Sequence, residues 1–122
     1  MKAVIDSNII IDLFNGIKLA EDEINKYDTP IISVITWIEV LVGAQNESEK
    51  AAIQQFLKKF IIAEIDTIIG LEACKIRQEN RIKLPDAIIE ATARVNNTIL
   101  VTRNIKDFDG NSPYIHIPYS LN

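Results

Sequence analysis

The run "MKAVIDSNIIIDLF", residues 1–14, decides the architecture. Lys2 to Ile5 reads as a short buried strand, yet it ends on a carboxylate, Asp6, and a polar pair, Ser7 and Asn8, before the apolar residues resume. An unpaired buried charge is costly, so Asp6 needs solvent, hydrogen-bond donors or a cation. Comparable Ile- and Val-rich runs recur as "PIISVI" (30–35), "FIIAEID" (60–66), "TILVT" (98–102) and "YIHIP" (114–118). Short, apolar and bounded by turn residues, all of them read as strands buried on both faces.

Helical patterns separate these runs. Ala52, Ile53, Phe56, Leu57 and Phe60 form one apolar stripe, and Ile69, Ala73 and Ile76 a weaker one. In "PDAIIEATARVNN" (85–97), Ala87, Ile88, Ala91, Thr92 and Val95, widened by Ile89 and Ala93, mark a well-buried helix opened by Pro85 and closed near Asn96 and Asn97. Strands alternating with helices give an α/β fold, a three-layer α/β/α sandwich on a mainly parallel sheet. A length of 122 residues fits one domain spanning 1–122.

Composition narrows the function classes. With 48% hydrophobic and 25% charged residues the chain has the balance of a soluble globular protein. No apolar run reaches 18 residues and no signal-peptide core precedes Asp6, so a cytoplasmic protein without a membrane span is expected. One cysteine, Cys74, and one histidine, His116, exclude an internal disulfide and make a zinc site of thiolates or imidazoles untenable. The net charge of −4 argues against a general nucleic-acid binder. Setting four acids aside into one site leaves 13 acids against 13 basic residues, so the charge neither supports nor excludes an anionic substrate.

Ligands of open parallel sheets collect outside the carboxyl ends of the strands, and that is where the acids fall. Asp6 leaves the first strand. Glu39, in "SVITWIEVLVG" (33–43), follows the second; taken alone, Thr36-x-x-Glu39 reads as a capping box on a helix beginning at Thr36. Asp86 stands behind Pro85 in a helical first turn, where a carboxylate also suits the helix dipole. Thr102, Asn104 and Asp107 follow the strand in "ILVTRNIKDF" (99–108). If these meet, like charges at that range require a cation. A hard divalent ion, Mg²⁺ or Mn²⁺, accepts such oxygen ligands.

In this order and spacing, "VIDSNIII", "TWIEVLVG", "LPDAIIEATA" and "LVTRNIKDF" resemble the PIN domain family, in detail the compact VapC toxins of toxin–antitoxin pairs. The resemblance runs the whole length. It implies a metal-dependent endoribonuclease that hydrolyses RNA phosphodiester bonds by a two-metal-type mechanism, leaving 5′-phosphate and 3′-hydroxyl ends. A small VapB-like antitoxin would neutralise it, and a homodimer is implied. Asp6, Glu39 and Asp86 match the core acids, and Asp107 the fourth. Ser7 stands where threonine is usual, Asn8 matches, and Asn104 fits the toxin branch, leaving open whether Asn104 or Asp107 reaches a second ion. Glu90 departs from the family's small residue; one turn from Asp86, it is expected as an outer-sphere or solvated group, or as an added ligand.

Around the site, Arg103 and Lys106 are candidate phosphate contacts, as are Arg77, Arg81 and Lys83, unless these are only solvated faces. Trp37 is a candidate for base stacking or for packing in the core or an interface, and His116 is expected to be structural. Two rivals remain: a PIN scaffold serving as a catalytically weak binding module, and a Mg²⁺-binding receiver-like domain. The receiver would use Asp66 as phosphate acceptor, but it lacks the acid pair, since Ile5 precedes Asp6.

Overall fold

A computed structural model of the chain describes residues 1–121. Strands β1 (Lys2–Ile5), β2 (Thr29–Ser33), β3 (Ile61–Ala63), β4 (Leu100–Val101) and β5 (Ile115–His116) form one sheet in the order β3-β2-β1-β4-β5. Every pairing is parallel. Six helices connect them: α1 (Ser7–Phe14), α2 (Lys18–Ile24), α3 (Val34–Val42), α4 (Glu47–Leu57), α5 (Thr67–Asn80) and α6 (Leu84–Val95).

The register explains the layers. Ile31, Val4, Leu100 and Ile115 stand in one row across four strands. They face α6, packing with Ile89, Ala93 and Phe108. Ala3, Ile5, Ile32 and Val101 point the other way, onto Ile9 and Ile10 of α1, Ala20 and Ile24 of α2, Val40 and Leu41 of α3, and Leu57. Outside α6, α5 seats Ile69, Ala73 and Ile76 against Ala87 and Ala91, small residues that let the two helices approach closely. Ile5, Ile9, Ile10 and Ile32 are fully buried, each contributing about 1.5–3 kcal/mol. The β1–α1 corner that carries Asp6 is therefore firmly anchored.

Several expectations are corrected. Helix α3 begins at Val34, not Thr36, because the Ser33 hydroxyl at the end of β2 already accepts from Ile35 N at 3.1 Å. No capping box forms: Thr36 is buried inside the helix with its Oγ1 unpartnered, and Glu39 lies in the second turn. Helix α4 stops at Leu57, so Phe60 reaches the core from the turn before β3. Strand β3 is not buried on both faces; as an edge strand it leaves Ile61 and Ile62 exposed. Asp66 is the N-cap of α5, its Oδ1 taking Ile69 N at 2.8 Å, which removes the acceptor a receiver domain would need.

Candidate active site

Ile5 pairs with Val101 in register, so the exits of β1 and β4 lie side by side and Asp6 meets Thr102. Asp6 caps α1: Oδ1 accepts from Ser7 N at 2.8 Å, and Oδ2 accepts from Asn8 Nδ2 at 3.1 Å and Thr102 Oγ1 at 2.7 Å. Burial pushes its pKa above the ordinary value, while the Thr102, Ser7 and Asn8 donors pull it back down.

The other acids reach the same rim from different elements. On α3, Glu39 has a raised pKa, mainly from partial burial; the Ser7 hydroxyl lowers it and the Asp6 charge raises it. Asp86, in the first turn of α6 behind Pro85, is pushed up to about 6 by burial, then by the charges of Asp107, Asp6 and Glu39, against an opposing pull from Lys83. Asp107 is fixed by Asn104, whose Nδ2 donates to Asp107 Oδ2 at 2.9 Å and whose Oδ1 accepts from Asp107 N at 3.2 Å. The Asn104 amide group is thus spent on orienting Asp107.

Asp6, Glu39, Asp86 and Asp107 therefore share one electrostatic neighbourhood. Among the described residues no three acid, imidazole or thiol groups are drawn into a ready-made ion cage. The acids feel one another through space. Elsewhere the buried carboxylates have protein cations: Asp12 has Arg103, Glu23 has Lys26 and Glu90 has Arg94. Among the described residues no ion pair engages any of the four rim acids. An all-oxygen, all-anionic donor set lacking a cationic partner fits a hard divalent ion.

The flanking candidates fall into different roles. The Arg103 guanidinium is engaged within the chain: Nε and Nη2 grip Asp12 Oδ2 and Oδ1 at 2.7 and 2.9 Å. Lys106 is exposed, and no ion pair engages it among the described residues. Arg77 donates to the carbonyl of Ile82, and Arg81 closes α5 in a left-handed conformation with φ 56°. Glu90 is not solvated: it is buried against Arg94 Nη2 at 2.6 Å, in a pocket that Lys106 and Asp107 also line. Trp37 is partly buried on the α1–α4 core. His116 stands in β5, 3.4 Å from Glu23 Oε2. Sequence reasoning missed Asp12 and Tyr119; the signal available was an acid set in the apolar run 9–14, which demands a partner.

A parallel three-layer sandwich with an unpaired acidic rim at its strand exits is a class whose ligands bind outside the carboxyl ends of the strands. The chain belongs to the PIN domain family, whose model, described as PIN domain, matches residues 3–110. It is 30% identical over 113 residues to ribonuclease VapC10 of Mycobacterium tuberculosis, covering 86% of this chain and 84% of that one. Ribonuclease VapC1 of Rickettsia felis is likewise 30% identical, over 120 residues, covering 88% and 89%. Among solved structures, a chain of a toxin–antitoxin complex from Klebsiella pneumoniae superposes with a TM-score of 0.91 at 41% identity, covering 98% of this chain and 99% of that one. For VapBC-1 of nontypeable Haemophilus influenzae the TM-score is 0.75 at 27% identity, covering 88% and 90%.

Proposed function

We propose that this chain is a VapC-type endoribonuclease, the toxin of a toxin–antitoxin pair, acting on RNA in the cytoplasm as a PIN-like domain spanning 1–122. The carrying observation is a rim of four acids without protein cations, with Asp6 buried among them, in a chain whose three other buried acids, Asp12, Glu23 and Glu90, each have one. Relatives named ribonuclease VapC and a similar structure titled as a toxin–antitoxin complex support the reading. A cognate small antitoxin is the expected partner.

Asp6, Glu39, Asp86 and Asp107 are the residues that would hold Mg²⁺ or Mn²⁺. When bound, such an ion supplies Lewis-acid activation of water and charge neutralisation at the phosphate. The chain's own part is to orient those carboxylates. Ser7, Asn8 and Thr102 fix Asp6, and Asn104 fixes Asp107. The N-terminus of α6 turns its free amides toward an anionic substrate, and exposed Lys106 offers a phosphate contact. A homodimer is supported by exposed Ile61 and Ile62 on edge strand β3 and Ile68 and Leu71 on α5.

The test compares purified protein with Asp6→Asn and Asp86→Asn on total RNA, with Mg²⁺ or Mn²⁺ and then with EDTA. Wild-type cleavage should depend on the ion and vanish in both variants. Identical behaviour of all samples would refute the nuclease reading.

A further inference from the structure

Behind the rim lies a second polar assembly that the chemistry does not use directly. Asp12, on α1, is 4% exposed. It receives the Arg103 fork through Nε and Nη2, and the Tyr119 hydroxyl at 2.8 Å on Oδ2. Three donors satisfy one buried carboxylate, and the two-point fork fixes the orientation of Arg103 as well as its distance.

Arg103 sits between two residues of the rim. Its backbone N donates to Asn8 Oδ1 at 3.1 Å, while Asn8 Nδ2 donates to both Asp6 Oδ2 and Thr102 Oγ1. On its other side, Asn104 N donates to Thr102 Oγ1 at 3.1 Å and Asn104 Nδ2 holds Asp107. One loop thus orients two acids 101 positions apart in sequence, and the Arg103 fork pins that loop to α1. Tyr119 joins the segment after β5 to the same point.

We propose that Asp12 and Tyr119 act, through Arg103, as positioning residues that hold the Thr102–Asp107 loop in register with Asp6. The proposal rests on the endoribonuclease reading of the rim. It assigns Arg103 to internal alignment and leaves phosphate contact to Lys106. Supports of this kind, one shell removed from the reacting groups, are worth about 10–100-fold in metal affinity or activity.

The experiment uses Asp12→Asn, Arg103→Lys and Tyr119→Phe, with Tyr27→Phe as control. The control removes a comparable buried hydrogen bond, Tyr27 Oη to Glu23 Oε2 at 2.7 Å, away from the rim. Cleavage of a single-stranded RNA gives kcat and KM, Mn²⁺ affinity is read by electron paramagnetic resonance, and thermal unfolding is recorded for each protein. Asp12→Asn and Arg103→Lys should lower kcat and weaken Mn²⁺ binding by roughly tenfold or more, with KM for RNA within about twofold. Tyr119→Phe should move the same quantities less, and Tyr27→Phe should lower Tm alone. Should Asp12→Asn fail to fold, the milder Arg103→Lys and Tyr119→Phe decide. A KM increase confined to Arg103→Lys, unchanged kcat and Mn²⁺ affinity in all clamp variants, or an equal loss in Tyr27→Phe would overturn the proposal. A wild type that cuts no RNA would sink the nuclease reading instead, while Mn²⁺ affinity in the same variants would still judge the clamp.

Discussion

The Thr102 hydroxyl donates to Asp6 Oδ2 at 2.7 Å, joining residues 96 positions apart. Asn8 Nδ2 and Asn104 N donate to the same Oγ1 at 3.2 and 3.1 Å. A hydroxyl has one proton and two lone pairs, so both lone pairs are taken and the proton is directed at Asp6. The buried carboxylate is thereby held as an acceptor, the state an ion ligand requires.

Replacing Thr102 with Val keeps the shape and deletes this junction. Two donors lose their acceptor, for an expected loss of about 1–3 kcal/mol in denaturant unfolding. RNA cleavage should fall about tenfold or more, as for other supports of ligating groups. Thr102→Ser should retain most of the activity, because the hydroxyl remains.

Asp86 makes a pH-dependent prediction. Its carboxyl is pushed up to about 6 from an ordinary 3.8, so across that window the folded chain holds a proton the unfolded chain has released. Stability of the metal-free protein therefore falls as pH rises from 3.8 to about 6, and the deficit persists above it. Asp86→Asn removes the deficit. In EDTA the variant should unfold at a higher temperature than wild type at pH about 7.5, and the gap should close towards pH 4. Solvent screening of a half-buried group limits the effect to the order of 1 kcal/mol. A variant less stable than wild type at neutral pH would contradict this account of the rim.

Glu90 separates stability from chemistry. It sits one helical turn from Asp86, yet its carboxylate is committed to Arg94, which also approaches Glu72 and lies over the Tyr114 ring. Glu90→Ala would leave the guanidinium facing a lost partner. The expected cost is about 2 kcal/mol in denaturant unfolding, below that of a fully buried pair because the Arg94 side chain keeps 23% exposure. Cleavage rates should stay within about threefold of wild type, since the hydrogen bonds of the pair run to Glu72 and not to a rim acid.

The sheet was legible because its strands are apolar on both sides, and the ends of α6 because Pro85 and the paired Asn96 and Asn97 punctuate it. The start of α3 was not. Ser33 and Thr36 are both good caps, and only the end of β2 decides which hydroxyl meets the free amides. Asp6, Glu39, Asp86 and Asp107 could be nominated from their positions after strands and at helix starts. The clamp could not, because Asp12, Arg103 and Tyr119 come together only when α1, the β4 exit and the final segment converge. A basic residue beside an acid cluster reads as a substrate contact until its partner is seen.

The expected homodimer can be tested at the β3 edge and on the helix that follows it. Ile61 and Ile62 leave their side chains in solvent on an edge strand, and Ile68 and Leu71 are 65% and 69% exposed. Ile68 and Leu71 share one face of α5 at i, i+3 spacing. In a two-fold interface each substitution appears twice, so paired glutamates at these positions would set four like charges against one another. Like-charge juxtaposition costs several kcal/mol, or roughly a hundredfold in dimer affinity at about 3 kcal/mol. Ile68→Glu with Leu71→Glu should sediment as a monomer at micromolar concentration where wild type sediments as a dimer. The unfolding free energy extrapolated to the monomer should be unchanged within about 1 kcal/mol, because neither side chain is in the core. A double variant that stays dimeric would move the subunit interface away from this face.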